Sequence, residues 1–470
     1  MVKCCFQLLK AIGIVSDDQR EIQGITCDSR EVERDWIFVS LDGYTHHGDE
    51  FIEEVLAKGG LVVSGKEHQN CFVVDDPQGA LVTLINTYYD TPSEQLFIVG
   101  VTGTNGKTSV CSFLSQMFTA FGQRNVVIGT NGIQMGDCVI ETENTTPSMM
   151  TCLRVFLQAI EKGIRIVLME VSSHAIDEGR LGFIRFDRLI YTNITQDHLD
   201  YHLTYTHYQY TKFKARLYLK ENGRIILNQD REECMELLHL RTKGIITYGT
   251  KPSHVPISHV ELRVSGSSFD IHQLHFETSL LSMSNVYNIA ACIALFKSIG
   301  VHSHELCEVV ERLHAPSGRM EVLQLKNHTV WIDYAHTPDA LRRLLEFAKQ
   351  VSLGRVITVL GCGGERDQEK RHQMGTIAST LSDLAIFTQD NPRGEELMMI
   401  IKQMSENILD NVKVIENRQE AIRYALSISV KSDTILVAGK GNEHFLIVKE
   451  DKIPYNDKAF IYQLSEEEPL

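Results

Sequence analysis

The stretch "GVTGTNGKTS", Gly100 to Ser109, lies between the apolar run "LFIVG" and the helix-like "VCSFLSQMF", and the fold turns on how it is read. A strand ending in glycines, followed by Lys-Thr and a helix, is the layout of a phosphate-binding loop. The spacing departs from the common form, which places a glycine five positions before the Gly-Lys pair. Val101 stands there, and the available glycines are Gly100 and Gly103. Gly103 and Gly106 would let backbone N–H groups approach phosphate oxygens, and the helix beginning near Lys107 aims its positive end at the same place. Lys107 supplies charge for the terminal phosphates, and Thr108 offers a hydroxyl to Mg²⁺.

Outward from this loop the chain alternates apolar strand, polar loop and helix: "IRIVLME", "RLIYTNI" and "GRIILNQD" follow "LFIVG". Continuous apolar strands of this kind are buried on both faces, as in a parallel sheet. Between Val260 and Leu281 the period falls to two, which predicts antiparallel strands at the edge of the central domain. Before the loop, residues 1–92 carry shorter runs ("DWIFVSL", "EFIEEVLAKGG") ending in the turn-rich "YDTPSEQ". The opening "MVKCCFQLLKAIGIVSDD" reads as an amphipathic helix, far short of the ~20 apolar residues that span a bilayer. After "HAPSGRM", four strands end in polar loops: "VWIDYAHTPDAL", "VITVLGCGGERD", "LAIFTQDNPRGEE" and "TILVAGKGNEHF". Ligands of open α/β sheets bind outside the carboxyl ends of the strands, so these loops are expected to converge on one site. The organisation predicted is α/β in three domains: residues 1–92, a central mostly parallel P-loop-type sheet over 93–312, and a Rossmann-like domain over 313–470.

Composition narrows the function. Lys+Arg 46 against Asp+Glu 61 leaves −15, which argues against a nucleic-acid binder. The 11 cysteines are odd in number and form no CxxC pair, so neither a disulfide framework nor a thiolate zinc site is indicated, and a reducing cytoplasm is expected. Glu170 ends the strand "IRIVLMEV", where a second oxygen ligand for a hard cation would be needed. His174, His198, His202 and His207 contain no HExxH and fit no standard zinc spacing.

At this point the chain resembles the Mur ligase family, and more narrowly its MurE branch, over essentially its whole length. The motifs that carry the resemblance are "TGTNGKTS", "NTTP" from Asn144, "EVSSHA" from Glu170, "TNITQDHLDYH", "GRME" from Gly318, "DYAHTPDAL" from Asp333, "GCGGERD" from Gly361, "DNPR" from Asp390 and "GKGNE" from Gly439. The unusual loop spacing is then a family variant. The resemblance implies an ATP-dependent carboxylate–amine ligase of peptidoglycan biosynthesis. ATP phosphorylates the D-glutamate side-chain carboxylate of UDP-N-acetylmuramoyl-L-alanyl-D-glutamate, and the amine of meso-diaminopimelate attacks the acyl phosphate. A cytoplasmic monomer is expected, with no nucleic-acid or membrane partner.

Carried over residue by residue, the resemblance gives ATP to Gly103, Thr104, Asn105, Gly106, Lys107, Thr108 and Ser109, with Asn285 and Asn288 at the adenine, Asp333 at the ribose, and Arg319 and His336 at the phosphates. Thr108 and Glu170 would hold one Mg²⁺ and His198 a second. Thr145, Thr146, Ser172 and Arg180 would bind the muramoyl dipeptide, and Ser29, Thr45 and His46 the uridine end. Diaminopimelate falls to Arg366, Asp390, Asn391, Pro392, Arg393, Gly439 and Glu443; Arg393 offers a planar fork for the carboxylate that lysine lacks. Family members also carry a lysine carbamylated by CO₂, which helps hold the second Mg²⁺. Counting forward from "DHLD" selects Lys212; the helical pattern Thr206, Tyr210, Lys214, Leu217, Tyr218 selects Lys214, and the pattern is preferred. Ser282 and Asn442 stand where the family usually has Gly and His. The alternatives are the same ligation with L-lysine or another diamino acid, a folylpolyglutamate-type synthetase, a P-loop switch or motor protein, and an inactive nucleotide-binding homologue.

Overall fold

The structure, a computed structural model, describes residues 3–42, 47–240, 244–301, 303–406, 408 and 410–467. It is α/β throughout, with a large mixed, mostly parallel central sheet and a separate C-terminal sheet. By their internal contacts the residues fall into two units: Met1–Gly100, Gln123–Leu189 and Lys214–Gly223 make the first, and Val101–Gly122, Ile190–Phe213 and Arg224–Leu470 the second. The glycine loop and the whole C-terminal sheet thus lie in the same unit.

The first unit opens with the expected helix, Cys5–Ala11, which buries Cys5, Leu8 and Leu9. A four-stranded parallel sheet follows, in the order Gly24–Thr26, Trp36–Val39, Leu61–Ser64, Cys71–Val73. Phe38 and Val62 of this sheet pack with Val32, Ile52 and Val55. Helix Pro77–Tyr88 starts with Asp76 accepting from Gly79 N and Pro77 in the first turn, where its missing N–H costs nothing. Tyr88 Oη donates to Ile22 O at 2.9 Å and ties the helix down. Further along, Asn125–Gly129 and Ile166–Val171 pair in parallel, and every residue of the second strand is buried. The helix between them, Met149–Glu161, is capped by Ser148.

In the second unit, helix Lys107–Ala120 packs on helix Ser282–Ser298, with the Phe118 and Phe296 rings 4.7 Å apart. The period-two segment forms antiparallel strands Val255–Arg263, Gly266–Ile271 and Leu274–Thr278, as its alternation requires. The C-terminal sheet runs Glu321–Gln324, Thr329–Asp333, Thr434–Ala438, Val356–Leu360, Leu384–Phe387, Val412–Val414, all parallel except the first. Both faces are buried: Trp331, Leu360 and Phe387 belong to one apolar cluster, and Val330, Ile332, Val359 and Ile386 to another. Asp333 and Leu360 both register on Ala438, and Leu360 also on Phe387. The four expected loops therefore leave one edge of the sheet side by side.

Candidate active site

Gly103 and Gly106 connect strand Phe97–Thr102 to helix Lys107–Ala120 with φ of +148° and +89°. A Cβ on Gly103 would lie 2.0 Å from Thr192 Oγ1 and 2.9 Å from the Asn193 carbonyl, so Gly103 is needed for conformation and for space, and Gly106 for its conformation. "TNITQ" braces the loop. Asn105 N donates to Asn193 Oδ1 at 2.9 Å, Thr104 N to Asn193 O at 2.8 Å, and Thr192 Oγ1 to Asn105 O at 2.6 Å. Lys107 Nζ curls back onto the Gly103 and Thr104 carbonyls, 2.9 Å from each.

Lys212 reaches the same carbonyl, its Nζ 3.0 Å from Gly103 O, from a side chain only 1% exposed. Burial, with Lys107 nearby, pushes its pKa well below that of an ordinary lysine. Lys214, which the helical pattern prefers, is 51% exposed, with Nζ 3.8 Å from Asp177. Two residues apart on helix Tyr205–Lys214, the two lysines leave the axis about 200° apart, which is why one is buried and the other is not. Burial thus separates the two: Lys212 is enclosed and Lys214 is not.

One cavity is lined by Asn105, Gly106 and Ser109 together with Asn285, Asn288, Arg319 and Asp333. Arg319 Nη2 donates to Thr108 Oγ1 at 3.4 Å while its guanidinium lies 4.2 Å from the Tyr334 ring centre. Asp333 accepts from Met320 N at 2.6 Å, and burial raises its pKa. Burial also takes the His336 pKa down to about 4, even with Asp197 facing it, and His336 Nδ1 lies 2.8 Å from Tyr334 O. Asn228, Arg231, Tyr287 and the Asp339–Arg343 pair line the cavity as well and were not foreseen. Only the i,i+4 spacing of Asp339 and Arg343 in "PDALRR" carried a local signal.

A second cavity gathers Asp197, His198 and His336 with Arg366, Asp390, Asn391, Arg393, Gly439 and Glu443. Burial opposes the charge on Asp197, yet His198, His336, Lys370 and Lys107 hold its carboxyl well below the usual range. Burial and the like charge of Arg366 lower the Arg393 pKa. Glu395 is engaged by the buried Arg371 at 2.7 and 2.8 Å, and Arg393 Nη1 donates to Gly364 O at 2.7 Å. Pro392 makes the turn, its carbonyl accepting from Glu395 N at 3.0 Å. Lys440, which sequence reading passed over, lies beneath the cavity with Nζ 2.9 Å from Asn391 Oδ1 and 2.8 Å from Glu443 Oε2.

In the first unit the residues expected at the dipeptide form one network with Glu170. Thr146 Oγ1 donates to Glu170 O at 2.8 Å and lies 3.2 Å from Ser172 Oγ; Arg180 Nη1 donates to Thr146 O at 3.0 Å. Thr130 N donates to Glu170 Oε1 at 2.9 Å, and Thr130 Oγ1 lies 3.1 Å from Thr145 Oγ1. Ser29 lines a separate cavity with Phe38, Phe51, Ser148 and Arg154. Thr45 and His46 lie outside the described residues.

Comparison with known proteins agrees with this geometry. The Mur ligase middle domain matches residues 101–296, and the Mur ligase glutamate ligase domain matches residues 318–441. The UDP-N-acetylmuramoyl-L-alanyl-D-glutamate–2,6-diaminopimelate ligase of Geobacillus kaustophilus is 35% identical over 460 residues, 93% of this chain and 94% of its own. Ligase 1 of that name from Clostridium acetobutylicum is 34% identical over 98% of this chain and 99% of its own. A solved structure of a UDP-N-acetylmuramoyl-L-alanyl-D-glutamate–2,6-diaminopimelate ligase superposes with a TM-score of 0.72 at 27% identity, covering 99% of both chains. With the phosphate loop, the converging C-terminal loops and relatives of this extent in agreement, the chain belongs to the Mur ligase family.

Proposed function

We propose that this Mur ligase joins meso-diaminopimelate to the D-glutamate of UDP-N-acetylmuramoyl-L-alanyl-D-glutamate, with ATP as the energy source. A carboxylate is a poor electrophile. Its oxygen attacks the γ-phosphorus of ATP, ADP departs, and the acyl phosphate so formed has a good leaving group. The substrate amine then attacks the acyl carbon, loses a proton and expels phosphate. Lys107 and Arg319 offset the charge that develops on the transferred phosphoryl group, and the loop N–H groups hold it in place. Asn285 and Asn288 would meet the adenine, Asp333 the ribose, and His336 the phosphate end.

The Thr108 hydroxyl and His198 imidazole are donors suited to Mg²⁺, and Glu170 is proposed as a ligand on the strength of its motif alone. Magnesium supplies charge neutralisation at the phosphates. Lys212 is the proposed carbamate: burial disfavours its ammonium form, and the deprotonated amine can attack CO₂, forming an N–C bond and releasing a proton. Thr145, Thr146, Ser172 and Arg180 would hold the dipeptide, and Ser29 the uridine end. These roles correspond to domains at residues 1–92, 93–312 and 313–470. A monomer working in the cytoplasm is the matching expectation.

The observation that carries the choice of amino acid is Arg393. It lines the second cavity beside Arg366, and the acid nearest in sequence, Glu395, is taken by Arg371. Two guanidinium groups at one cavity call for an anionic ligand, and the additional carboxylate of diaminopimelate supplies one. The test is phosphate release from ATP with the UDP-muramoyl dipeptide and a panel of amino acids. Release that requires both the dipeptide and diaminopimelate is expected; release with ATP alone, or none with any amino acid, would sink the reading.

A further inference from the structure

Strand Thr434–Ala438 runs into Gly439-Lys440-Gly441, whose glycines take φ of +107° and +53°. A Cβ on Gly441 would lie 2.7 Å from Gly318 O, so the turn is pressed against neighbouring backbone. Between the glycines Lys440 is 1% exposed, a burial that a cationic side chain tolerates only with partners. Its Nζ has them: Asn391 Oδ1 at 2.9 Å, Glu443 Oε2 at 2.8 Å and Asp390 Oδ1 at 3.8 Å.

The consequence falls on Asn391. Its Oδ1 accepts from Lys440 Nζ and also from Ile447 N at 3.0 Å, which fixes which way the amide faces. Nδ2 must then point the other way, and it donates to Glu443 Oε2 at 2.7 Å. Glu443 Oε2 thus takes two donors, Lys440 and Asn391, and Oε1 is the oxygen available to a ligand ammonium. Asn391 and Glu443 line the second cavity; Lys440 does not.

We propose that Lys440 is a positioning residue for amino-acid recognition. It locks Asn391 and Glu443 into one oriented pair and thereby sets the affinity for the ammonium-bearing end of the diamino-acid substrate, without touching that substrate. This rests on the reading of the second cavity as the diaminopimelate site.

The test is Lys440→Met, which keeps length and removes the ammonium. The KM for diaminopimelate should rise at least about tenfold, with kcat and the KM values for ATP and the muramoyl dipeptide within about threefold. Glu443→Gln should raise the same KM. The double variant should raise it no further than the worse single, because residues acting through one pair are not additive. Lys440→Gln, which retains donors, should fall between wild type and Lys440→Met, and it serves for the same comparison if the methionine variant does not fold. An unchanged KM for diaminopimelate, an equal rise in the KM for ATP, or additive effects in the double variant would each overturn the role of Lys440. Wild-type enzyme run alongside separates the two claims: if it uses no diamino acid, the reading of the site fails, whereas a competent wild type with unaffected variants removes only Lys440.

Discussion

Arg393→Ala isolates the claim about the second carboxylate, because the structure separates what the side chain does from what the backbone does. Arg393 N donates to Ile447 O at 3.0 Å, and Lys449 N donates to Arg393 O at 2.7 Å. Both bonds survive the substitution. The φ of +51° is unchanged in kind, since alanine and arginine pay the same steric penalty there. Stability loses one hydrogen bond, from Nη1 to Gly364 O, worth about 1 kcal/mol, and regains part of that as the repulsion from Arg366 disappears. Binding loses more. Removing one partner of a desolvated charge pair costs roughly 2–5 kcal/mol, and ~1.4 kcal/mol is a factor of ten, so kcat/KM for diaminopimelate should fall at least about thirtyfold. L-Lysine lacks the second carboxylate, so its use should change little and the ratio between the two substrates should collapse. Steady-state kinetics at saturating ATP and muramoyl dipeptide, with a thermal melt as the control for folding, read both quantities. A folded variant whose kcat/KM for diaminopimelate stays within about threefold of wild type would refute the reasoning.

Other substitutions probe other parts of the site. Lys107→Ala should leave the melting temperature nearly unchanged and slow turnover by ~10²–10³, since a positioned phosphate donor contributes on the order of 3–4 kcal/mol; near-normal turnover would remove it from the phosphate site. Lys212→Ala should be inactive and partly rescued by acetate, while Lys214→Ala stays active; the opposite pattern would return the carbamate to Lys214. Ser282 opens helix Ser282–Ser298 with φ of +78°, a conformation costing a side-chain-bearing residue ~1–2 kcal/mol. Ser282→Gly should therefore stabilise the fold by a net ~0.5–1 kcal/mol after the added entropy of the unfolded glycine and so raise the melting temperature, and a lowered melting temperature would show that the serine makes a compensating contact.

Much of the site was readable because its chemistry lies in strand-end loops. Gly103, Gly106, Lys107 and Thr108 are adjacent in the chain, and the order strand, loop, helix fixes their arrangement locally. The four C-terminal loops could be expected to converge because parallel strands carry their carboxyl ends to one edge, and the register of Asp333, Leu360, Phe387 and Ala438 bears this out. Lys212 and Lys214 show where a local pattern fails. Counting from "DHLD" favours the first and the helical pattern the second, and only the packing of helix Tyr205–Lys214 decides which is buried. Lys440 was hidden for a related reason: a lysine between two glycines in a polar loop has every local mark of exposure, and its burial comes from Asp390, Asn391 and Glu443 closing over it. Arg231 reaches the first cavity from a segment distant in sequence from the glycine loop, with no motif of its own.

The most direct test of the account is a competition in one vessel: ATP, Mg²⁺, the UDP-muramoyl dipeptide, and equal concentrations of meso-diaminopimelate and L-lysine, with phosphate and product mass followed together. One phosphate should appear for each tripeptide formed, and the diaminopimelate adduct should dominate the product. Phosphate without tripeptide would contradict the ligase mechanism, and a product made mainly from lysine would contradict the role given to Arg393.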